Sequence, residues 1–208
     1  MSRELASLRL PELAGRTVID VGAWDGFYSF EAERCGASRV VALDHFVWMR
    51  DLARPGSARD EAGLPGKAGF DLARETLGSE VEAHVADFAS ADLSVLDGPF
   101  DVALFLGVLY HLQDPLGAMR RLAELTGGMA VIESEAVSFP AHEDHALVEF
   151  FAGDALNNDS TNWWVPNLRA LIDLCEAAGF ARVDVIQGPP ALAGGGPHRF
   201  RAVVHAWR

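Results

Sequence analysis

The stretch VIDVGAWDGFYSFEAERCGASRVVALDH, residues 18–45, decides the fold. Residues 18–21 form a short apolar run that reads as a strand. Gly22 and Gly26 then bracket Ala23, Trp24 and Asp25. Residues 27–35 follow with helical spacing, placing Phe27, Phe30 and Arg34 on one face. A second β-branched run, residues 39–43, ends at Asp44 and His45.

The same alternation continues along the chain. Residues 50–67 carry Pro55, Gly56, Pro65 and Gly66 and read as a loop or short irregular helix. Residues 70–77 suit a helix, and residues 81–85 a third strand that ends near Asp87. The run FDVALFL, residues 100–106, is apolar enough to be buried on both faces. A helix over 115–126 and a strand over 129–133 follow. Strands alternating with helices predict an α/β fold, a mostly parallel sheet with helices on both faces. Right-handed crossovers then carry the strand ends bearing Gly22, Asp44 and Asp87 to one edge, where ligands bind in such folds.

After Glu133 the rhythm breaks. Residues 136–166 hold acidic, histidine, asparagine and tryptophan residues with no clear strand, and read as an insertion that covers the acceptor side of the sheet. A helix over 167–178 closes on Gly179 as a C-cap. Strands over 181–187 and 200–207 flank a flexible glycine-proline turn. With neither repeat nor linker, residues 1–208 are expected to form one domain, a seven-stranded sheet whose last strand is antiparallel.

Bulk properties narrow the function. The chain has 208 residues, half of them hydrophobic and 23% charged, an ordinary globular composition. Net charge is 17 minus 30, or -13. Nucleic-acid binding draws its affinity from Lys and Arg on phosphates, so this balance favours a small-molecule partner over nucleic acid. No apolar run is long enough to span a bilayer, and the first ten residues lack the apolar stretch of a signal peptide. Cys35 and Cys175 form no CxxC pair and read as buried thiols in a reducing compartment. The expectation is a cytoplasmic protein without membrane association; oligomeric state leaves no signal.

The first loop is GxxxG, not the GxGxxG of dinucleotide folds, and no GxxxxGK[ST] is present. Both pyrophosphate-cradling readings, hydride transfer with a nicotinamide cofactor included, are therefore weak. Carboxylates at three successive strand ends point elsewhere. Asp44 suits the two hydroxyls of a ribose. Asp87 is placed to meet an adenine amino group, with Phe88 packing on its ring.

At these residues the chain resembles the S-adenosylmethionine-dependent methyltransferases of the Rossmann-like kind. DVGAWDG looks like their first motif. FDVALFLGVLYHLQDP and NWWVPNLRALIDLCEAAGF resemble a subgroup that includes the tRNA wobble-uridine carboxymethyltransferases and small bacterial relatives. The resemblance runs over residues 15–187. It implies S-adenosylmethionine as cofactor, with Asp20, Gly22 and Gly26 at its amino-acid part. Asp44 would lie at the ribose, Asp87 and Phe88 at the adenine, and Gly107 beside the methionine moiety; Ala23, Trp24, His45 and Tyr110 are further expected cofactor contacts. Trp24 departs from the class, which has glycine at the centre of this loop. The tRNA enzymes also carry a long N-terminal region ahead of this domain; a chain without it is expected to act on something other than tRNA.

Methyl transfer to a hydroxyl needs a group that removes a proton. His111, in GVLYHLQDP on the ligand edge, is the first candidate. His142 and His145, in HEDH, are the next. Two histidines and two acids also raise a divalent metal, but an i, i+3 pair on a solvated turn is the commoner meaning, and no metal site is expected. Glu135, just after the fifth strand, would orient a base or the substrate. Tyr110, Asn158, Trp163 and Trp164 supply the aromatic walls and polar groups of a small-molecule pocket. His198 and Arg199 read as an exposed turn. The expected activity is methylation of an oxygen or nitrogen of a small metabolite in specialised biosynthesis. The rivals are a tRNA-modifying enzyme and a non-catalytic partner subunit, the latter predicting loss of the carboxylates that are all present here.

Overall fold

The computed structural model describes residues 7–49, 66–191 and 196–208. Most of the predicted loop at 50–67 and part of the glycine-proline turn lie outside the described residues. The elements run β1 (Thr17–Val21), α1 (Phe27–Arg34), β2 (Arg39–Asp44), α2 (Ala68–Leu77), β3 (Glu82–Val85), β4 (Phe100–Leu106), α3 (Pro115–Leu125) and β5 (Thr126–Ser138). They continue with β6 (Val148–Phe150), β7 (Trp164–Pro166), α4 (Leu168–Ala178), β8 (Arg182–Gln187) and β9 (His198–Trp207). A 3-10 turn, Leu109–His111, follows β4.

Seven strands form one sheet in the order β3-β2-β1-β4-β5-β9-β8. β1 to β5 are mutually parallel, and β9 runs antiparallel between β5 and β8. The expected α/β fold with an antiparallel last strand is what forms. Alternation along each central strand feeds a core on either face. Ile19, Val21, Val41, Leu43, Ala103 and Phe105 pack with α3 and α4. Val18, Val40, Ala42, Val102 and Leu104 pack with Phe30 of α1 and Phe70 of α2. All of β4 but Asp101 and Leu106 is fully buried, as its continuous apolar run requires.

Local chemistry sets the element ends. Asp114 caps α3 by accepting from the Gly117 amide at 2.8 Å, with Pro115 in the first turn. Asn167 caps α4 through Ala170 N, and Gly179 closes it in the left-handed conformation.

Three expectations are corrected. β5 does not end at Glu133 but runs to Ser138, held by ten residue pairs with β9 from Met129↔Trp207 to Ser138↔His198. Glu135 therefore lies within a strand. The insertion at 136–166 is not strandless either: β6 and β7 pair as a short antiparallel ribbon. Their alternation is three residues long, too short to register as periodic. Cys175 is buried, and burial pushes its thiol up to about 12. Cys35 is instead exposed, because it stands at the C-cap of α1 and outside its packed face.

Candidate active site

β1 lies between β2 and β4, and the chain leaves it toward β2 and returns on the opposite side as β4. This is the switch point at which open α/β sheets leave a crevice. The β1–α1 loop lines it. Gly22 has φ +78°, and a Cβ there would sit 2.5 Å from Val108 Cγ2, so the glycine lets the chain after β4 close in. Gly26 serves a different contact: its missing Cβ would meet the rings of Phe30 and Phe70 at 2.5 and 2.7 Å. Ala23 is buried. Trp24, at the position where glycine was expected, adopts φ +49°. Its amide donates to Asp44 Oδ2 at 3.0 Å, and its carbonyl accepts from Trp48 Nε1 at 2.6 Å. Clamped at both backbone groups, it leaves its indole 46% exposed.

The three strand-end acids have different environments. Asp20 is buried on β1 and accepts from Ser29 Oγ at 2.6 Å. Desolvation outweighs that bond and lifts its carboxyl to about 6. Asp44 is also buried; its second oxygen accepts from Val47 N at 3.0 Å, so the carboxylate ties the loops after β1 and β2 together. A carboxylate has about four acceptor sites, and two amides leave capacity for a ligand hydroxyl. Asp87 accepts from Ala89 N and Ser90 Oγ, and the latter bond holds its carboxyl below the usual range. His45 is exposed and near enough to Asp87 to add to that lowering. Phe88 is buried, 5.4 Å from the Phe105 ring and with the Arg121 guanidinium 6.0 Å above its own. Its ring belongs to the core under α3.

On the β4 side a charged cluster stands beside Gly107, which has φ +74°. Arg201 on β9 faces Glu135 across the β5–β9 ladder. Its guanidinium forks onto Glu133, reaches Glu135 Oε2 at 3.2 Å and donates to Tyr110 Oη at 3.2 Å. A Cβ on Gly107 would lie 3.3 Å from Tyr110 Oη and 3.4 Å from Arg201. Arg201 and Glu133 were not singled out from sequence. The signal was the alternation of Glu133 and Glu135 along one strand, hidden by assigning Arg201 to a generic final strand.

His111 ends the turn after β4. Its ring lies 4.5 Å from that of Tyr110 and stacks on Phe46 at 6.4 Å and 25°. Phe46 follows β2 and His111 follows β4, so the two rings meet across the end of β1, which lies between those strands. His111 Nδ1 is 2.9 Å from Thr161 Oγ1, in the insertion.

The insertion is fastened to this turn by its backbone, Trp163 N donating to Tyr110 O at 2.8 Å. Trp163 and Trp164 flank Phe150, with ring centroids 6.5 and 4.9 Å away. The side-chain oxygen of Asn162 and the indole N–H of Trp164 are buried without a hydrogen-bond partner. Asn158 is exposed with φ +53°, a turn position. His142 and His145 are exposed on the turn after β5, their rings 6.0 Å apart. Among the described residues no grouping of three or more His, Cys, Asp or Glu could hold a metal ion, and no helix is long and apolar enough to cross a membrane. Arg199 pairs with Glu149 at 3.3 Å, joining β9 to the insertion ribbon.

A methyltransferase-domain family model matches residues 1–185, and the chain belongs to that family. With a Rossmann-like sheet and its crevice, it is a methyltransferase domain. Among curated proteins it is 26% identical over 183 residues to the tRNA U34 carboxymethyltransferase of Edwardsiella ictaluri, covering 87% of this chain and 50% of that protein. The chain thus spans about half the length of the curated relatives it matches. The fold is similar to the N-terminal domain of EvdMO1 crystallised in the presence of SAH and D-fucose, at 16% identity and TM-score 0.67, covering 98% of this chain and 79% of that one. It is also similar to the 1,6-didemethyltoxoflavin-N1-methyltransferase of Burkholderia thailandensis with its acceptor and S-adenosylhomocysteine bound, at 17% identity and TM-score 0.56, covering 98% and 78%.

The residues present suit S-adenosylmethionine, the cofactor the resemblance implies. A sulfonium and an ammonium are both cationic, and acids stand at the ends of β2 and β3, Asp44 and Asp87, with Asp20 buried on β1. Trp24 and Phe46, on the loops after β1 and β2, are each 46% exposed, and Phe27, at the start of α1, is 40% exposed, apolar area that a nucleoside would cover.

Proposed function

We propose that the protein methylates an oxygen or nitrogen of a small metabolite in specialised biosynthesis. S-adenosylmethionine, when bound, supplies an electrophilic methyl on a sulfonium. Asp20 and the loop 22–26 would hold its amino-acid end, Asp44 its ribose hydroxyls, and Asp87 its adenine edge. Gly107 keeps side-chain bulk away from the reacting region. His111 takes a proton from the acceptor as the new bond forms, and Tyr110 and Trp163 wall the acceptor. Effective catalysis by such a base follows from placement within hydrogen-bond reach of the acceptor.

The observation that supports this reading is the pairing of the Phe46 and His111 rings, 6.4 Å apart and 25° from parallel, between the loop after β2 and the turn after β4. A net charge of -13 disfavours a polyanionic acceptor. His142 and His145, on their exposed turn, are weaker candidates for the base, and Glu135 is engaged by Arg201. The similarity to tRNA U34 carboxymethyltransferases supports a second reading, modification of tRNA. Incubation with methyl-tritiated S-adenosylmethionine, total tRNA and a low-molecular-weight metabolite fraction separates the two. Label in the small-molecule fraction, lost with His111→Gln, is the expected result. Label that precipitates with RNA would favour the tRNA reading.

A further inference from the structure

Resting on the reading of His111 as the base, the geometry points to Thr161 and Asp159 as positioning residues that fix which imidazole nitrogen is basic. Thr161 Oγ1 lies 2.7 Å from Asp159 Oδ1 and 2.9 Å from His111 Nδ1. A hydroxyl has one proton to donate. An oxygen 2.7 Å from a carboxylate must spend that proton on it, because two bare oxygens at that distance repel. Asp159 is in turn oriented by the Thr161 amide, which donates to the same Oδ1 at 3.0 Å. Thr161 Oγ1 is therefore an acceptor toward the histidine, and His111 carries its proton on Nδ1. The lone pair then resides on Nε2, the only ring nitrogen left to act as a base.

A dimension of control follows. Thr161 and Asp159 belong to the insertion, whereas His111 belongs to the turn after β4. The 2.8 Å bond from Trp163 N to Tyr110 O holds the two segments in register. The basic atom is thus set only while the insertion is seated on that turn. A free histidine side chain favours the opposite tautomer, with the proton on Nε2, so the protein imposes the form it uses.

The test is nitrogen-15 NMR of histidine-labelled protein, alone and with S-adenosylhomocysteine, with the His111 signals assigned by His111→Gln. Wild type is expected to show a protonated Nδ1 and an unprotonated Nε2. Thr161→Val, which removes the acceptor at nearly constant volume, is expected to shift the ring toward the Nε2–H form. Thr161→Ser is expected to restore the wild-type pattern. Wild-type His111 found with its proton on Nε2, or a Thr161→Val spectrum unchanged from wild type, overturns the inference. A separate outcome concerns the base itself: the predicted tautomer together with full methyl transfer by His111→Gln would support the positioning device and refute the base assignment.

Discussion

Gly22→Ala probes the closest approach in the crevice. The structure gives two penalties. An L-residue forced into the left-handed conformation of φ +78° loses about 1–2 kcal/mol. Its methyl would start 2.5 Å from Val108 Cγ2, and forcing extra bulk into a packed site costs about 1–3 kcal/mol. Together the substitution should destabilise the protein by about 2–5 kcal/mol. For a chain of this size, each kcal/mol lowers Tm by about 2–4 °C. The two parts separate in a double-mutant cycle with Val108→Ala, which removes Cγ2. In that background Gly22→Ala should cost only the backbone part, leaving a coupling energy of about 1–3 kcal/mol between the sites. Chemical denaturation of the four proteins reads it. An equal cost for Gly22→Ala in both backgrounds would refute the claim that Val108, rather than backbone conformation alone, requires glycine here.

Two more outcomes follow from the site. The Asp20 carboxyl, near 6 in the fold against 3.8 when unperturbed, binds more protons folded than unfolded between those values. Stability of the ligand-free protein should therefore fall as pH rises from about 4 to about 6, by up to about 3 kcal/mol, and Asp20→Asn should flatten that slope; a slope that survives the substitution assigns it to another group. Arg201→Lys replaces a planar fork by a point charge that cannot grip Glu133, Glu135 and Tyr110 together, so denaturation should show a loss of about 1–2 kcal/mol and a wild-type midpoint would count against the cluster's role.

Much of this was legible in residues 18–45. A strand, a glycine turn, a helix and a second strand ending in an acid determine a parallel pair, and β-branched runs of adequate length locate the remaining strands. What stayed hidden depends on partners distant in sequence. Phe88 sits at the expected strand end, yet no local pattern says that Arg121 and Phe105 enclose its ring. β5 outruns its apolar stretch because β9 pairs with it through Ser138, and the alternation of Glu133 and Glu135 has meaning only once Arg201 lies opposite. Thr161 is an unremarkable residue in sequence. It becomes informative when the fold sets it 2.9 Å from His111, 50 positions away.

Trp24 joins the two levels. Its identity alone weakened the match to a glycine-rich loop, and the structure explains how the loop survives. Asp44 and Trp48 hold its backbone in a conformation glycine would adopt unaided, and the indole is displayed at the rim.

The most direct measurement is calorimetric titration of the protein with S-adenosylmethionine and S-adenosylhomocysteine, with NAD as control, repeated for Asp44→Ala. The crevice between β1 and β4 predicts micromolar binding of both sulfur nucleosides, none of NAD, and marked weakening without the Asp44 carboxylate. Absence of binding by either sulfur nucleoside would contradict the assignment of the crevice, and undiminished binding by Asp44→Ala would contradict the role given to its carboxylate.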